Sequence, residues 1–177
     1  MEPTPNNLSF LEPYSSGEEI IVLSSGKSVR IKKYFFKFKA WQGDPIPNTY
    51  GGKAVIDFNG EPLFAELAVL KLFRQNGWDG VWVDSYRKKY RIGLPDIVDS
   101  INLPADKQEL LNQLRSKTGK FGGCWDLLLW ENNPVLFIEL KLSKKDRIQD
   151  SQIKWLEESL KLGYQAKNFL LVEWFLT

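Results

Sequence analysis

The feature that most constrains this chain is a pair of apolar runs in its last third, Leu127-Leu128-Leu129-Trp130 and Val135-Leu136-Phe137-Ile138-Glu139-Leu140-Lys141-Leu142, separated by Glu131-Asn132-Asn133-Pro134. Short runs rich in Leu, Val, Ile and aromatics, broken by Asn and Pro, predict a β-hairpin. With Trp130 opposite Val135, each step outward pairs residues whose numbers keep the same sum. Leu128 then faces Phe137, and Asp126 faces Glu139. Cross-strand neighbours have Cβ atoms roughly 5 Å apart, and like charges in that position repel. Side chains alternate along a strand, so Lys141 projects on the side of Glu139 while Leu140 points away. An Asp, a Glu and a Lys on one patch of an apolar hairpin suit a hard divalent cation, Mg²⁺ or Mn²⁺, which prefers carboxylate oxygens and water. The rival expectation is a surface strand pair with scattered charges. The apolar residues flanking both faces argue against it.

Composition narrows the chemistry further. The chain has 177 residues, one cysteine, Cys124, and no histidine. No Ser-His-Asp triad, His-containing zinc site, Cys-based zinc cluster or internal disulfide framework can be built from it. Any metal must be held by oxygen ligands. Net charge is only +2, so an argument for nucleic-acid binding must come from how charge is distributed. The length suits one domain, or one domain with a small appendage. No apolar run is long enough for a membrane span and no charged-then-apolar leader is present, so the expected location is cytoplasmic.

Taken in order, residues 1–18 carry Pro3, Pro5, Pro13 and Gly17 and read as an extended arm or loop. Glu19 to Leu23 predicts a strand, Ser24 to Lys27 a turn, and Ser28 to Ala40 one or two further strands. That last stretch interleaves Lys32, Lys33 and Lys37 with Phe35, Phe36 and Phe38, a mixture suited to phosphates and unpaired bases. A half-buried sheet with a basic wet face is the equal alternative. A loop with a short strand near Ala54 to Phe58 follows. A helix is then expected from Glu61 to Asn76, with Pro62 in its first turn and Gly77 closing it. By helical spacing Glu66 falls on the buried face with Leu63, Leu67, Leu70 and Phe73, where a carboxylate needs a partner. It is therefore a candidate third acidic ligand, and Glu61 at the helix start is its rival. Gly80 to Val83 predicts a strand, and Tyr86 to Arg91 a basic-aromatic cluster whose Arg87, Lys88, Lys89 and Arg91 are candidate phosphate contacts. Residues 94–120 read as a helical insertion starting at Pro104 and Asp106. After the hairpin, a helix over about Ile148 to Leu162 puts the polar Gln152 on a packed face. Asn168 to Trp174 is a last, interior strand. The expected organisation is a β-rich extension over 1–58 and a core over 59–177, with a mixed α/β sheet flanked by helices.

At Gly123-Cys124-Trp125-Asp126, Glu139-Leu140-Lys141 and Ser151-Gln152-Ile153-Lys154-Trp155 the chain resembles the PD-(D/E)XK nuclease superfamily, most closely its virus-type replication-repair nuclease branch. That branch reads Gly-x-Pro-Asp, Glu-x-Lys and Ser-x-x-Gln-x-x-Trp. The likeness covers about the last third of the chain and, loosely, the helix before it. Trp125 stands where the family usually has Pro, a residue that shapes the strand entry and carries no chemistry. The resemblance implies a restriction-endonuclease-like core and a Mg²⁺- or Mn²⁺-dependent nuclease acting on DNA. It implies Asp126, Glu139 and the main-chain carbonyl of Leu140 as metal ligands, and Lys141 as the group that orients water and stabilises transition-state charge. Glu66 of the first helix would serve a metal-bound water or second ion, and Gln152 would lie beside the site. The assembly expected is a two-fold dimer or a complex with a partner protein. A nuclease-like module that grips nucleic acid without cutting it is the alternative.

Overall fold

The computed structural model describes residues 8–119 and 122–177. A 3-10 helix (Ser9–Tyr14) leads into β1 (Ser15–Val22), the long β2 (Ser28–Ala40), β3 (Ile56–Phe58), β4 (Glu61–Leu63) and α1 (Ala65–Gln75). Then come β5 (Asp79–Asp84), β6 (Lys89–Arg91), α2 (Ala105–Thr118), β7 (Leu127–Trp130), β8 (Val135–Leu142), α3 (Asp150–Lys161), a 3-10 turn (Ala166–Asn168) and β9 (Phe169–Leu176). All nine strands join one open mixed sheet in the order β4-β3-β2-β9-β8-β7-β5-β6, with β1 on the first half of β2. β2, β9 and β8 are mutually parallel, and the other pairings are antiparallel. Among the described residues no helix is long and apolar enough to cross a membrane.

The two-residue period of the strands sorts their side chains onto two faces. Leu127, Leu129, Leu136, Ile138, Leu170 and Val172 pack with Leu67, Leu70 and Phe73 of α1. Val81, Leu128, Phe137, Phe169 and Leu171 pack on the other face with Leu111 and Leu114 of α2 and Trp155 and Leu156 of α3. Helices thus cover both faces of a mixed sheet, the α/β architecture expected from the sequence. β8 and β9 are apolar on both faces because both faces are covered. Their parallel pairing requires a crossover, which α3 supplies.

The hairpin forms in the expected register, with Trp130 opposite Val135 and Leu128 opposite Phe137. The strand at the end of the chain is interior, between β2 and β8. The stretch 1–58 contributes β1, β2 and β3 to the same sheet as the residues after it, β2 lying beside β9. Three boundaries differ from the sequence expectation. The arm over residues 1–18 gives way to the 3-10 helix at Ser9 and to β1 at Ser15, its first seven residues lying outside those described. The helix expected from Glu61 starts only at Ala65, because Glu61 to Leu63 form β4. Asn59 and Gly60 both have positive φ, 51° and 88°, the backbone of the tight turn that Asn-Gly favours. They fold β4 back on β3 as an edge strand, where the missing N–H of Pro62 does no harm. α3 begins at Asp150, two residues later than Ile148, after a capping box between Gln149 and Gln152. The last residue of the expected insertion, Lys120, lies outside the described residues.

Candidate active site

The carboxylates of the hairpin meet just before the start of β7. Gly123 has φ of 94°, and a Cβ there would stand 2.7 Å from the carbonyl oxygen of Ser151. The bare backbone lets the segment before the strand press against the start of α3. Trp125 follows, fully buried, its indole N–H donating to the main-chain carbonyl of Gln152 at 3.0 Å. The carbonyl of Asp126 then accepts from Val83 N–H of β5 at 2.8 Å. With its backbone so fixed, Asp126 exchanges bonds with β8. Its N–H donates to Glu139 Oε2 at 3.2 Å, and its Oδ2 accepts from Leu140 N–H at 2.9 Å. Each carboxylate is held by an amide of the opposite strand, as the register demands.

Lys141 and Gln152 complete this patch. Lys141 Nζ lies 2.9 Å from Glu139 Oε1 and donates to Gln152 Oε1 at 2.9 Å. Gln152 Nε2 donates to Glu139 Oε1 at 2.6 Å, and Gln152 Oε1 also accepts Gln149 N–H at 2.8 Å. One orientation of the amide satisfies all of these partners, since the oxygen must face two donors and the nitrogen a carboxylate. The polar residue on the packed face of α3 is therefore a link between the helix start and the hairpin. Its neighbours Trp155, Leu156 and Ser159 are buried.

Glu66 is brought to the same site from the second position of α1. It is 8% exposed, on the buried face that helical spacing predicted. Its partner is Lys53, with Nζ 2.6 Å from Oε1, while Oε2 is buried without a hydrogen-bond partner among the described residues. The Lys53 ammonium also sits 5.7 Å from the Phe64 ring centre and 5.9 Å from that of Trp82. Nothing in the sequence analysis singled out Lys53. It lies in a loop with no periodicity, and only the glycines Gly51 and Gly52 before it mark the place.

The electrostatics follow from this crowding. Burial, then the charges of Glu139 and Glu66, push the Asp126 carboxyl well above the usual range, while Leu140 N–H and Lys53 oppose them. Glu139 is pushed up to about 6 by burial, against the pull of Lys141 and of Asp126 N–H, with Glu66 adding to the rise. Two adjacent carboxylates that both bind protons too readily are short of positive charge. Cys124 is buried and its thiol is also pushed up, so it is no nucleophile.

Among the described residues no three His, Cys, Asp or Glu side chains are grouped as a ready metal cage. Asp126, Glu139 and the Leu140 carbonyl form an oxygen-only donor set, which fits Mg²⁺ or Mn²⁺ in kind. Glu66 has an orphaned oxygen in the same region, but its other oxygen is committed to Lys53.

The basic residues divide into two groups. Arg91 is 6% exposed and points inward, its Nε 2.8 Å from Asp84 Oδ2, which also accepts the Tyr50 hydroxyl at 2.5 Å. Burial and this bond push Tyr50 up to about 12. Arg87 is exposed, stacks 4.6 Å over the Tyr50 ring and lies 3.8 Å from Asp96. Lys88 and Lys89 are exposed on the turn and first residue of β6. Lys33 is held between Glu19 and Glu173, at 3.2 Å from each, whereas Lys32 and Lys37 are exposed. Comparison with family models and with curated proteins finds no match.

Proposed function

We propose that the chain is a divalent-metal-dependent nuclease that hydrolyses phosphodiester bonds in DNA, with Asp126, Glu139, Lys141, Gln152 and Glu66 as its site. The observation that carries this reading is the interlocked set of bonds joining Asp126 to Glu139, Glu139 to Lys141 and both Glu139 and Lys141 to Gln152. A structural ion pair needs only one acid and one base. Here two acids stand together, both with carboxyls pushed up by burial, beside a lysine aimed by a glutamine whose amide oxygen and nitrogen are both hydrogen-bonded.

Asp126, Glu139 and the Leu140 carbonyl would hold the ion. A bound Mg²⁺ or Mn²⁺ supplies a more acidic water and positive charge for the attacked phosphate. Lys141, whose position Gln152 fixes, orients the attacking water and offsets the charge that builds on the phosphate oxygens. Gln152 keeps Glu139 turned toward the site by donating to Oε1. Trp125 and the apolar residues behind the hairpin exclude bulk water, which strengthens each of these interactions.

The resemblance to the virus-type replication-repair nucleases points the same way, and with it come DNA repair or mobile-element settings and a two-fold dimer or partner protein. A second reading rests on the Lys53–Glu66 pair. An ammonium at the third acidic position favours a module that binds nucleic acid without cutting it. The deciding experiment offers the purified protein linear, flapped and branched DNA with EDTA, Mg²⁺ or Mn²⁺, beside the Asp126→Asn variant. Metal-dependent cleavage lost in the variant supports the nuclease. Binding without cleavage under every metal supports the module.

A further inference from the structure

Lys53 reaches Glu66 from a loop that is wound tightly and tied down. Tyr50, Gly51 and Gly52 have φ of 53°, 77° and 119°, three positive values in succession. This winding lets the N–H groups of Gly52 and Lys53 both donate to the carbonyl of Thr49, at 3.3 and 2.7 Å. A tyrosine in the left-handed region is an uncommon and costly conformation that persists only where its surroundings enforce it. Here they do. The Tyr50 hydroxyl is bonded to Asp84 at the end of β5, and the Asn48 amide donates to Asp96 Oδ2 at 2.8 Å, beyond β6. Two residues past Lys53, the Val55 carbonyl accepts from Trp41 N–H at 3.0 Å. An ordinary surface ion pair needs no such scaffold.

The charges of the site are unequal. Its acids are Glu66, Asp126 and Glu139 and its cations Lys53 and Lys141, so three negative charges face two positive ones when all are ionised. Burial works against the Lys53 ammonium, but Glu66, Asp126 and Asp146 outweigh it and hold the lysine more basic than usual. Asp146 is exposed at the rim beside the exposed Arg147, with one oxygen on Leu142 N–H. One divalent ion brings the site to balance once a phosphodiester, with its single negative charge, joins it. A second ion leaves two positive charges in excess, which a partly buried site does not tolerate well. The ammonium also stands 2.6 Å from Glu66 Oε1, a separation that leaves no room for an ion between them.

We propose that Lys53 is the second cation of this site, held at Glu66 in the space that a second divalent ion would need, so that the chain takes up one Mg²⁺ or Mn²⁺ and refuses another. Uptake of the first ion rests on the nuclease reading, and refusal of the second on the Lys53–Glu66 pair. Glu66 is then the lysine's holder rather than a direct ligand. Its other oxygen, buried without a partner among the described residues, is left to accept from water.

The test titrates Mn²⁺ into the full chain, with no nucleic acid present, and follows it by electron paramagnetic resonance. The wild type is expected to hold one Mn²⁺, with the spectrum of an isolated ion. Lys53→Ala is expected to hold two, coupled in their spins because the ions of such pairs lie about 4 Å apart. Should Lys53→Ala not fold, Lys53→Met keeps an apolar stem near the Phe64 and Trp82 rings and carries the same expectation. Two coupled ions in the wild type, or a single ion in both the wild type and the lysine variant, overturns the role of Lys53 and leaves the nuclease reading intact. No uptake by either protein overturns both and favours the module that binds without cutting.

Discussion

Lys53 Nζ and Glu66 Oε1 are 2.6 Å apart, joining a loop residue to the first turn of α1 at the edge of a cluster of acids. The lysine's charge opposes the rise of the Asp126 carboxyl, and it does so from a side chain that is 31% exposed. Lys53→Met should cost about 1–3 kcal/mol in urea unfolding, less than a fully buried pair because solvent reaches the ammonium. It should also free Glu66, so that Mg²⁺ raises Tm more in this variant than in the wild type. An unchanged metal response would mean that Glu66 has no part in ion binding.

Glu61 supplies the control for that experiment. It is an exposed residue of β4 paired with Lys71. Glu61→Gln should leave stability within about 0.5 kcal/mol and cleavage near the wild-type rate. Glu66→Gln should lose metal-dependent cleavage, as assayed on the same DNA substrates.

On the proposed reading, protons and metal ions would compete for the same carboxylates. Glu139 is raised from 4.5 to about 6, and Asp126 is displaced in the same direction. An acid that holds its proton more tightly when folded stabilises the fold at low pH and loses that contribution as pH rises through the window between its two values. Without divalent ions, stability attributable to the pair should fall by roughly 1–2 kcal/mol as pH rises from about 4.5 to beyond about 6. Asp126→Asn should flatten this slope and leave the protein at least as stable at neutral pH, since the amide oxygen can still accept Leu140 N–H. Urea titrations at several pH values in EDTA, and again in Mg²⁺, measure both effects.

Gln152 touches the machinery without being able to take part in proton transfer. Gln152→Ala releases both Lys141 and Glu139, and cleavage should fall about 10–100-fold, the usual effect of removing an orienting partner. Gln152→Glu should be worse, because it removes the donor to Glu139 and adds a third acid to the pair. A variant that cleaves at the wild-type rate would reduce Gln152 to a helix cap.

Arg91 and its neighbours separate stability from binding. Arg91→Ala leaves Asp84 buried without its cation and should cost about 3 kcal/mol in urea unfolding. Lys88→Ala with Lys89→Ala should cost little stability and should weaken DNA binding with a shallower salt dependence. If the salt slope does not change, these lysines are ordinary surface.

The parts of this fold that were legible in the sequence are those governed by local period. The hairpin register followed from a four-residue connection and alternation alone, and it brought Asp126 to Glu139. Glu66 and Gln152 followed from counting around a helix. Lys53 was hidden because its position depends on a loop fold rather than on spacing. Asn59-Gly60 was a readable turn, but Pro62 beside it resembles a helix start, and the two local preferences compete. The pairing of β2 with β9 was invisible because parallel strands so far apart in sequence leave no local trace.

The same pairing sets the order in which the molecule can be completed. β9 is made after the other eight strands, yet it belongs in the middle of the sheet, and its Leu176 is opposite Phe38. Until it arrives, β2 has an open edge and β8 lacks its parallel neighbour. Contacts between such distant segments carry a large loop-closure cost and slow the folding rate. During synthesis the early strands must therefore wait with sticky edges exposed, and the waiting interval is when chaperone engagement or edge-to-edge aggregation is most expected. Glu139 and Lys141 are buttressed by β9, so the candidate site matures only at the close of that interval.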